Sequence, residues 1–238
     1  MIAASYNVHR CVGSDRRRDP GRIADVIAET GAELVAVQEA DRRFGAPVGL
    51  LDAEALEARA GLRLVPVSGH PRGQGWRGNA LLVGRSVRIA SEPLRIRLPG
   101  AEPRGALMVD LDFGWGEVRV ITAHLGLLPG SRTLQAEAIL EAHRRAGPKR
   151  AILLGDLNEW RDGKSALGVL GTDFWPSRGG AATFPARRPM LRLDRIMGHP
   201  RGLVSEAEAH DTPLARAASD HLPVKARVGP SGGAAAAG

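Results

Sequence analysis

Cysteine is nearly absent from this chain, Cys11 being the only one in 238 residues. That excludes an intrachain disulfide and any cysteine-based zinc cluster within one chain, and it makes the reducing cytoplasm the expected setting. Aromatic residues amount to 4%, with Tyr6 the single tyrosine. So sparse a set does not build an extended base-stacking platform; Trp76, Trp160 and Trp175 are left as isolated wedges or as packing residues, and packing is the favoured reading for most of them. Lysine occurs only at Lys149, Lys164 and Lys225, so the basic residues are almost all arginine. No apolar run reaches the ~18 residues of a membrane span, and no basic, apolar, small-residue leader opens the sequence, so no transmembrane segment is expected.

What is present fits a folded soluble domain: 43% hydrophobic and 25% charged residues lie near globular averages. The length suits one domain, expected over residues 1–228, with the uncharged Gly/Ala-rich stretch 229–238 as a disordered tail that has nothing to pack. Thirty-three Lys and Arg against twenty-six Asp and Glu give +7 and a pI near 10.8. That balance favours anionic partners such as nucleic acid, phospholipid headgroups or phosphorylated metabolites. A GC-rich coding sequence accounts for arginine-rich composition equally well.

Local signals divide the chain into alternating elements. Met1 to Val8 reads as a strand. Asp19-Pro20 reads as an N-cap with proline at the first helical position, and Ile23, Val26 and Ile27 then form one apolar face before Gly31 stops the helix. Leu34 to Val37 is a short buried strand that delivers Gln38-Glu39 at its end. A helix is expected over 52–60, strands over 62–67 and 79–83, and a glycine-rich turn between them over 70–78. Strands over 106–113 and 117–125 pair around Gly114-Trp115-Gly116, and a helix over 131–145 follows. The last strands are expected over 151–154, 192–197 and 222–228, with loops over 183–189 and 210–220.

One arrangement recurs: an apolar strand ends in a group suited to metal binding, proton transfer or phosphate contact. The segments are Ser5-Tyr6-Asn7-Val8-His9, Val37-Gln38-Glu39, Thr122-Ala123-His124 and Leu154-Gly155-Asp156-Leu157-Asn158, while Ser219-Asp220-His221 opens its strand instead. Polar groups at one edge of a sheet can converge on one cleft. Each has a plain structural alternative: Asn7, Asp156 and Asp220 as turn or cap formers, Glu39 as a solvated carboxylate, His124 as a hydrogen-bonded core histidine.

The order of these segments, with Gly78-Asn79-Ala80, Leu193-Asp194-Arg195-Ile196 and the continuation Leu222-Pro223-Val224, resembles the endonuclease/exonuclease/phosphatase superfamily. The resemblance runs from Tyr6 to Val224. It implies a four-layer α/β sandwich, two packed and mainly antiparallel β-sheets with helices outside. It also implies a divalent-metal-dependent hydrolase of phosphate esters. Phosphoryl hydrolysis needs a cation, an oriented water and donors around the phosphate oxygens. Glu39 is the foremost metal ligand, because a carboxylate suits hard Mg²⁺ or Mn²⁺, with Asn7 and Asp220 beside it.

By the same resemblance Asp156 orients or deprotonates the attacking water, and Asn158 holds that water or a phosphate oxygen. Continued strand alternation would put Asp156 and Asn158 on one face. Asp220-His221 is similar to the family's terminal acid and histidine, with Asp194 as a second carboxylate supporting a histidine and His124 donating to the phosphate. His221 can serve as a neutral base or as a charged stabiliser. For substrate contact the candidates are Asn79, Arg188 in the Thr183 to Pro189 loop, and the basic run Arg16-Arg17-Arg18, each also readable as an ordinary turn or solvated surface.

Departures from better-known members limit the substrate. Tyr6 leaves no tyrosine for a later strand, unlike apurinic-site endonucleases, and the tryptophan and cysteine of inositol 5-phosphatases are missing before Leu193-Asp194-Arg195. The expectation is a phosphodiesterase, nuclease-like, with nucleic acid slightly ahead of lipid or small-molecule esters. The alternatives are a phosphomonoesterase, a lipid phosphodiesterase, or a catalytically silent nucleic-acid- or membrane-binding scaffold.

Overall fold

The computed structural model describes residues 1–42, 45–67, 69–161, 163, 165–177 and 180–229. All but Gly229 of the expected tail lies outside the described residues. In chain order the first half comprises β1 (Ile2–Asn7), α1 (Pro20–Thr30), β2 (Leu34–Gln38), α2 (Ala53–Ala60), β3 (Leu62–Leu64) and β4 (Ala80–Gly84). The middle runs through β5 (Arg88–Ile89), β6 (Leu94–Arg97), β7 (Gly105–Asp112), β8 (Glu117–His124), α3 (Pro129–Arg145) and β9 (Ala151–Asp156). It closes with α4 (Ala166–Leu170), β10 (Trp175–Pro176), β11 (Asp194–His199), β12 (Val204–Ala209), α5 (Pro213–Ala218) and β13 (Val224–Val228).

Local chemistry sets the helix ends. Asp19 Oδ1 accepts the Arg22 amide at 2.9 Å, and Gly31 leaves α1 in the left-handed region at φ 63°, where a side chain would be strained. Asp52 caps α2 in the same way, through the Ala55 amide at 2.9 Å. The expected loop over 210–220 instead contains α5, because Thr212 Oγ1 accepts the Ala215 amide at 3.1 Å and Pro213 starts the helix. The strand expected over 62–67 ends at Leu64, and that expected over 192–197 begins only at Asp194.

Among the described residues, strands in the order β12-β13-β1-β2-β4-β3 form one sheet and β10-β11-β9-β8-β7-β5 the other, with β6 also on β7. β1 with β2 and β8 with β9 are parallel; the remaining pairs are antiparallel. Strand alternation then divides the apolar residues into three layers. Leu34, Ala36, Leu81, Val109, Val120, Ile152 and Leu154 fill the space between the sheets. Tyr6, Val35, Val37 and Leu82 pack outward against Ile23, Ile27 and Leu56 of α1 and α2. Ile121, Leu153 and Met197 pack against Ile139 and Leu140 of α3. This is the expected four-layer sandwich. Cys11 is buried beside α1, where burial pushes its thiol up to about 12, so it is chemically quiet.

A charged cluster ties β7 and β8 to the end of α3. Arg119 donates to Asp110 Oδ1 at 3.0 Å and to the carbonyls of Ala146 at 2.9 Å and Gly147 at 2.7 Å, while Lys149 reaches Asp110 Oδ2 at 2.6 Å. Burial opposes the Asp110 charge, but Lys149 and Arg119 outweigh it and hold the carboxyl below its ordinary value. A lowered folded value means that this stabilisation is complete above the unfolded carboxyl pKa of ~3.9 and is lost as pH falls through the folded one. Asp110→Asn is expected to lose about 1–3 kcal/mol at neutral pH, with the gap to wild type closing below pH ~4. Urea unfolding of both proteins across that range reads the gap; a gap independent of pH would refute the linkage.

Candidate active site

The inward-facing alternation that builds the central core also decides which polar side chains meet at its edge. On β1 the inward positions are Ala3, Ser5 and Asn7; on β8, Val118, Val120, Thr122 and His124; on β9, Ile152, Leu154 and Asp156; on β11, Asp194 and Ile196. The pairings Asn7 with Gln38, His124 with Asp156 and Asp156 with Asp194 place these polar termini at one edge of the sandwich. Just inside it, Gln38 bridges the sheets, facing Ser5 Oγ at 3.2 Å and Thr122 Oγ1 at 3.4 Å. The core thus passes through a polar layer before it opens.

Asp156 Oδ2 is the focus. It accepts Asn7 Nδ2 at 2.9 Å across the two sheets and lies 3.4 Å from His124 Nε2 and 3.8 Å from His221 Nε2. Its Oδ1 accepts the Asn158 amide at 3.0 Å. His221 Nδ1 meets Asp194 Oδ2 at 2.8 Å, and the same oxygen accepts Thr183 Oγ1 at 2.5 Å. Asp194 Oδ1 is buried without a hydrogen-bond partner among the described residues. The Phe184 ring lies 4.8 Å from the His221 ring and limits its movement. Burial works against a charge on His221, but Asp194, then Asp156 and Asp220, outweigh it and push the imidazole up to about 10.

The expected metal ligands Glu39 and Asp220 are more exposed than Asn7, which is buried. Glu39 follows β2 in the left-handed region, at φ 56°, and its carboxylate meets Arg10 Nε at 3.2 Å. Ser219 Oγ donates to the Asn7 carbonyl at 2.7 Å and reaches Asp220 Oδ1 at 3.4 Å, which links the β1 end to the segment before β13. Asp220 also faces His9 at 3.9 Å.

The side chains of three candidates point elsewhere, Asn158 touching the Asp156 carboxylate only through its backbone amide. Alternation does not carry Asn158 onto the Asp156 face: β9 ends at Asp156, and Asn158 turns to φ 49° with its Nδ2 donating to the Leu125 carbonyl at 3.0 Å. Asn79 is fully buried and points its Nδ2 at the Gly105 carbonyl, 2.9 Å away, clamping its turn to β7. Arg188 is exposed in its turn. Arg10, Thr183 and the outer part of the cleft escaped sequence reasoning. The cleft, of about 560 Å³, is lined by Glu39 and His124 together with Trp76, Arg77, Arg95 and Arg104. Arginine-rich composition was the only hint of its character.

The model of the Endonuclease/Exonuclease/phosphatase family matches residues 4–221. The chain belongs to this family. Uncharacterized protein YbhP of Escherichia coli K12 is 31% identical over 169 residues, which cover 65% of this chain and 64% of that protein. The match thus spans less than two thirds of the curated relative's length. Among solved structures, an endonuclease/exonuclease/phosphatase from Beutenbergia cavernae superposes with a TM-score of 0.71 at 24% identity, covering 97% of this chain and 72% of that one. Mannosyl-6-phosphatase of Bacteroides thetaiotaomicron gives 0.74 at 18%, covering 97% and 100%. TDP2 of D. rerio, complexed with single strand DNA product, gives 0.68 at 18%, covering 95% and 97%. These likenesses carry the fold. Members of the family are phosphoester hydrolases that generally use divalent metals. No helix among the described residues is long and apolar enough to cross a membrane.

Proposed function

We propose that the chain hydrolyses phosphate esters with the help of Mg²⁺ or Mn²⁺, phosphodiesters ahead of monoesters, with nucleic acid or phospholipid among the anionic substrates that its net charge of +7 favours. The observation that supports this most is the convergence of Asn7, His124 and His221 on one carboxylate oxygen, Asp156 Oδ2. An anionic oxygen in that position orients water and takes its proton, while Asn7 Nδ2 fixes the oxygen in place. His221, held by Asp194, presents positive charge where negative charge grows on the phosphate, and His124 lies beside the same oxygen.

Two groups of donors fit a cation unequally. Donor atoms of Asp156, Asp194 and His221 lie within 4.8 Å of one another, but several are already engaged, His221 Nδ1 by Asp194 Oδ2 at 2.8 Å and Asp156 Oδ2 by Asn7 Nδ2 at 2.9 Å. Glu39 and Asp220 offer carboxylate oxygens, Asn7 an amide oxygen that accepts the His9 amide at 3.1 Å, and the Glu39 carboxylate already faces the Arg10 cation at 3.2 Å. That set suits Mg²⁺ or Mn²⁺ and would hold it. When bound there, the ion neutralises phosphate charge.

Hydrolysis of bis-(p-nitrophenyl) phosphate and p-nitrophenyl phosphate with Mg²⁺, with Mn²⁺ and with chelator tests the reading. Diester cleavage that needs metal is expected. Glu39→Gln should raise the half-saturating metal concentration about tenfold or more, the scale on which weakened ligand shells lose affinity. Cleavage undiminished by chelator, or an unaltered metal requirement in Glu39→Gln, would count against it.

A further inference from the structure

The charge along the cleft is unevenly balanced. Of the arginines lining it, Arg10 is neutralised by Glu39 at 3.2 Å and Arg104 by Glu102 at 2.8 Å. Arg42, Arg77 and Arg95 also line it and have no carboxylate partner among the described residues, and the guanidinium carbons of Arg77 and Arg95 each lie 5.4 Å from the centre of the Trp76 ring. A guanidinium held on an aromatic ring keeps its N–H edges available to an oxyanion while losing little further freedom on binding.

The platform is built rather than incidental. Trp76 Nε1 donates to the Ile96 carbonyl at 3.3 Å, which fixes the ring to β6 next to Arg95. The Trp76 amide donates to the Asn79 carbonyl at 2.8 Å, the Asn79 amide returns a bond at 3.0 Å, and Asn79 Nδ2 anchors the turn to Gly105. Only glycine fits at 105, since a Cβ there would lie 2.8 Å from Trp76 Nε1 and 3.0 Å from Arg77 Cβ. The turn also joins the β2 end: Asp41 Oδ2 accepts the Gly78 amide at 2.9 Å, and the Ala40 amide donates to the Gly78 carbonyl at 2.9 Å. Glu39 and Arg77 are therefore mounted on one bonded unit.

We propose that Arg77 and Arg95, set on the Trp76 ring, form a second anion subsite that takes a second phosphate of a small phosphate ester whose first phosphate lies by Glu39 and His124. This rests on the phosphoester reading of the site and narrows its substrate class. A cleft of about 560 Å³ is of a size that takes a small ligand, and its lining arginines outnumber its carboxylates.

Isothermal titration of the full-length chain carrying Asp156→Asn, a substitution that suppresses turnover, in saturating Mg²⁺ with fructose 6-phosphate and fructose 1,6-bisphosphate as mono- and bisphosphate probes, decides it. The bisphosphate should bind at least about tenfold more tightly, the scale of one charge-assisted bidentate contact. Arg77→Gln/Arg95→Gln should remove that preference and leave the monophosphate affinity unchanged. Arg201→Gln/Arg227→Gln, at the ends of β11 and β13 remote from Asp194 and His221, should keep it. Arg77 is half-buried and Arg95 exposed, so a folded variant is expected, checked by its thermal midpoint. Equal binding of both sugars, failure of either to bind, or a preference that survives the Arg77/Arg95 variant would overturn the subsite. A thymidine tetranucleotide that binds more tightly than the bisphosphate and loses that affinity in the same variant would overturn the small-ester assignment in favour of a nucleic acid strand. The two readings separate cleanly: absent diester hydrolysis with an Arg77/Arg95-dependent preference sinks the reaction and keeps the subsite.

Discussion

Asp156→Asn is expected to lower kcat for bis-(p-nitrophenyl) phosphate by about three orders of magnitude, within the 10²–10⁴ that a positioned acid or base contributes. The change is nearly isosteric, so the loss reports chemistry more than shape. It is not free of structural cost. Both Asp156 oxygens accept donors, Asn7 Nδ2 at 2.9 Å and the Asn158 amide at 3.0 Å, and an amide NH₂ in either position confronts one of them. A loss of about 1–3 kcal/mol in urea unfolding should therefore accompany the loss of turnover, leaving the chain folded at 25 °C. Asp194→Asn and His221→Gln should each give a large loss, and combining either with Asp156→Asn should add little, because groups acting as a unit are not additive. A kcat within tenfold of wild type in folded Asp156→Asn would remove Asp156 from the centre of the reaction.

Much of this site was legible because strand alternation is local. Once the strands ending at Asn7, His124 and Asp156 are recognised, the period of two sends those residues to the core-facing side without knowledge of the partners. Alternation fails where a strand stops. Asn158 read as a continuation of β9, yet its left-handed conformation turns it toward Leu125. Arg10 carries no such signal, since its approach to Glu39 depends on the positive φ of His9, Arg10 and Cys11. Edge strands were the weakest part of the fold to read: β12 carries Glu206 and Glu208, whose charge suits an exposed edge and hides the apolar period. Arg77 and Arg95 share the Trp76 ring only because Trp76 is fixed to β6, a relation between segments that no local pattern records.

Arg132→Ala and Glu159→Ala are each expected to destabilise the protein by about 3–5 kcal/mol, the range for removing one partner of a buried ion pair. Arg132 is 2% and Glu159 1% exposed, so Arg132 left alone would have little water to turn to, while Glu159 left alone would keep only Arg161, whose Nε donates to Oε1 at 3.1 Å. Arg132 Nε and Nη2 donate to Glu159 Oε2 at 3.2 and 3.1 Å, and Nη1 donates to the Leu127 carbonyl at 2.6 Å. Leu127 lies shortly after His124, and Glu159 immediately after Asn158, so the pair pins together the two loops that leave β8 and β9 beside Asp156. Arg132→Met/Glu159→Leu should recover most of the stability, because neither charge remains stranded. It should not recover full activity, since Leu127 loses the guanidinium and the Arg161 amide loses the Glu159 oxygen that accepts it at 3.1 Å. Urea midpoints for the two single variants and the double, read beside diester turnover, separate the contributions. Single variants as stable as wild type would show that water reaches the pair, whereas a double variant restored in both stability and turnover would show that the two loops hold the site without it.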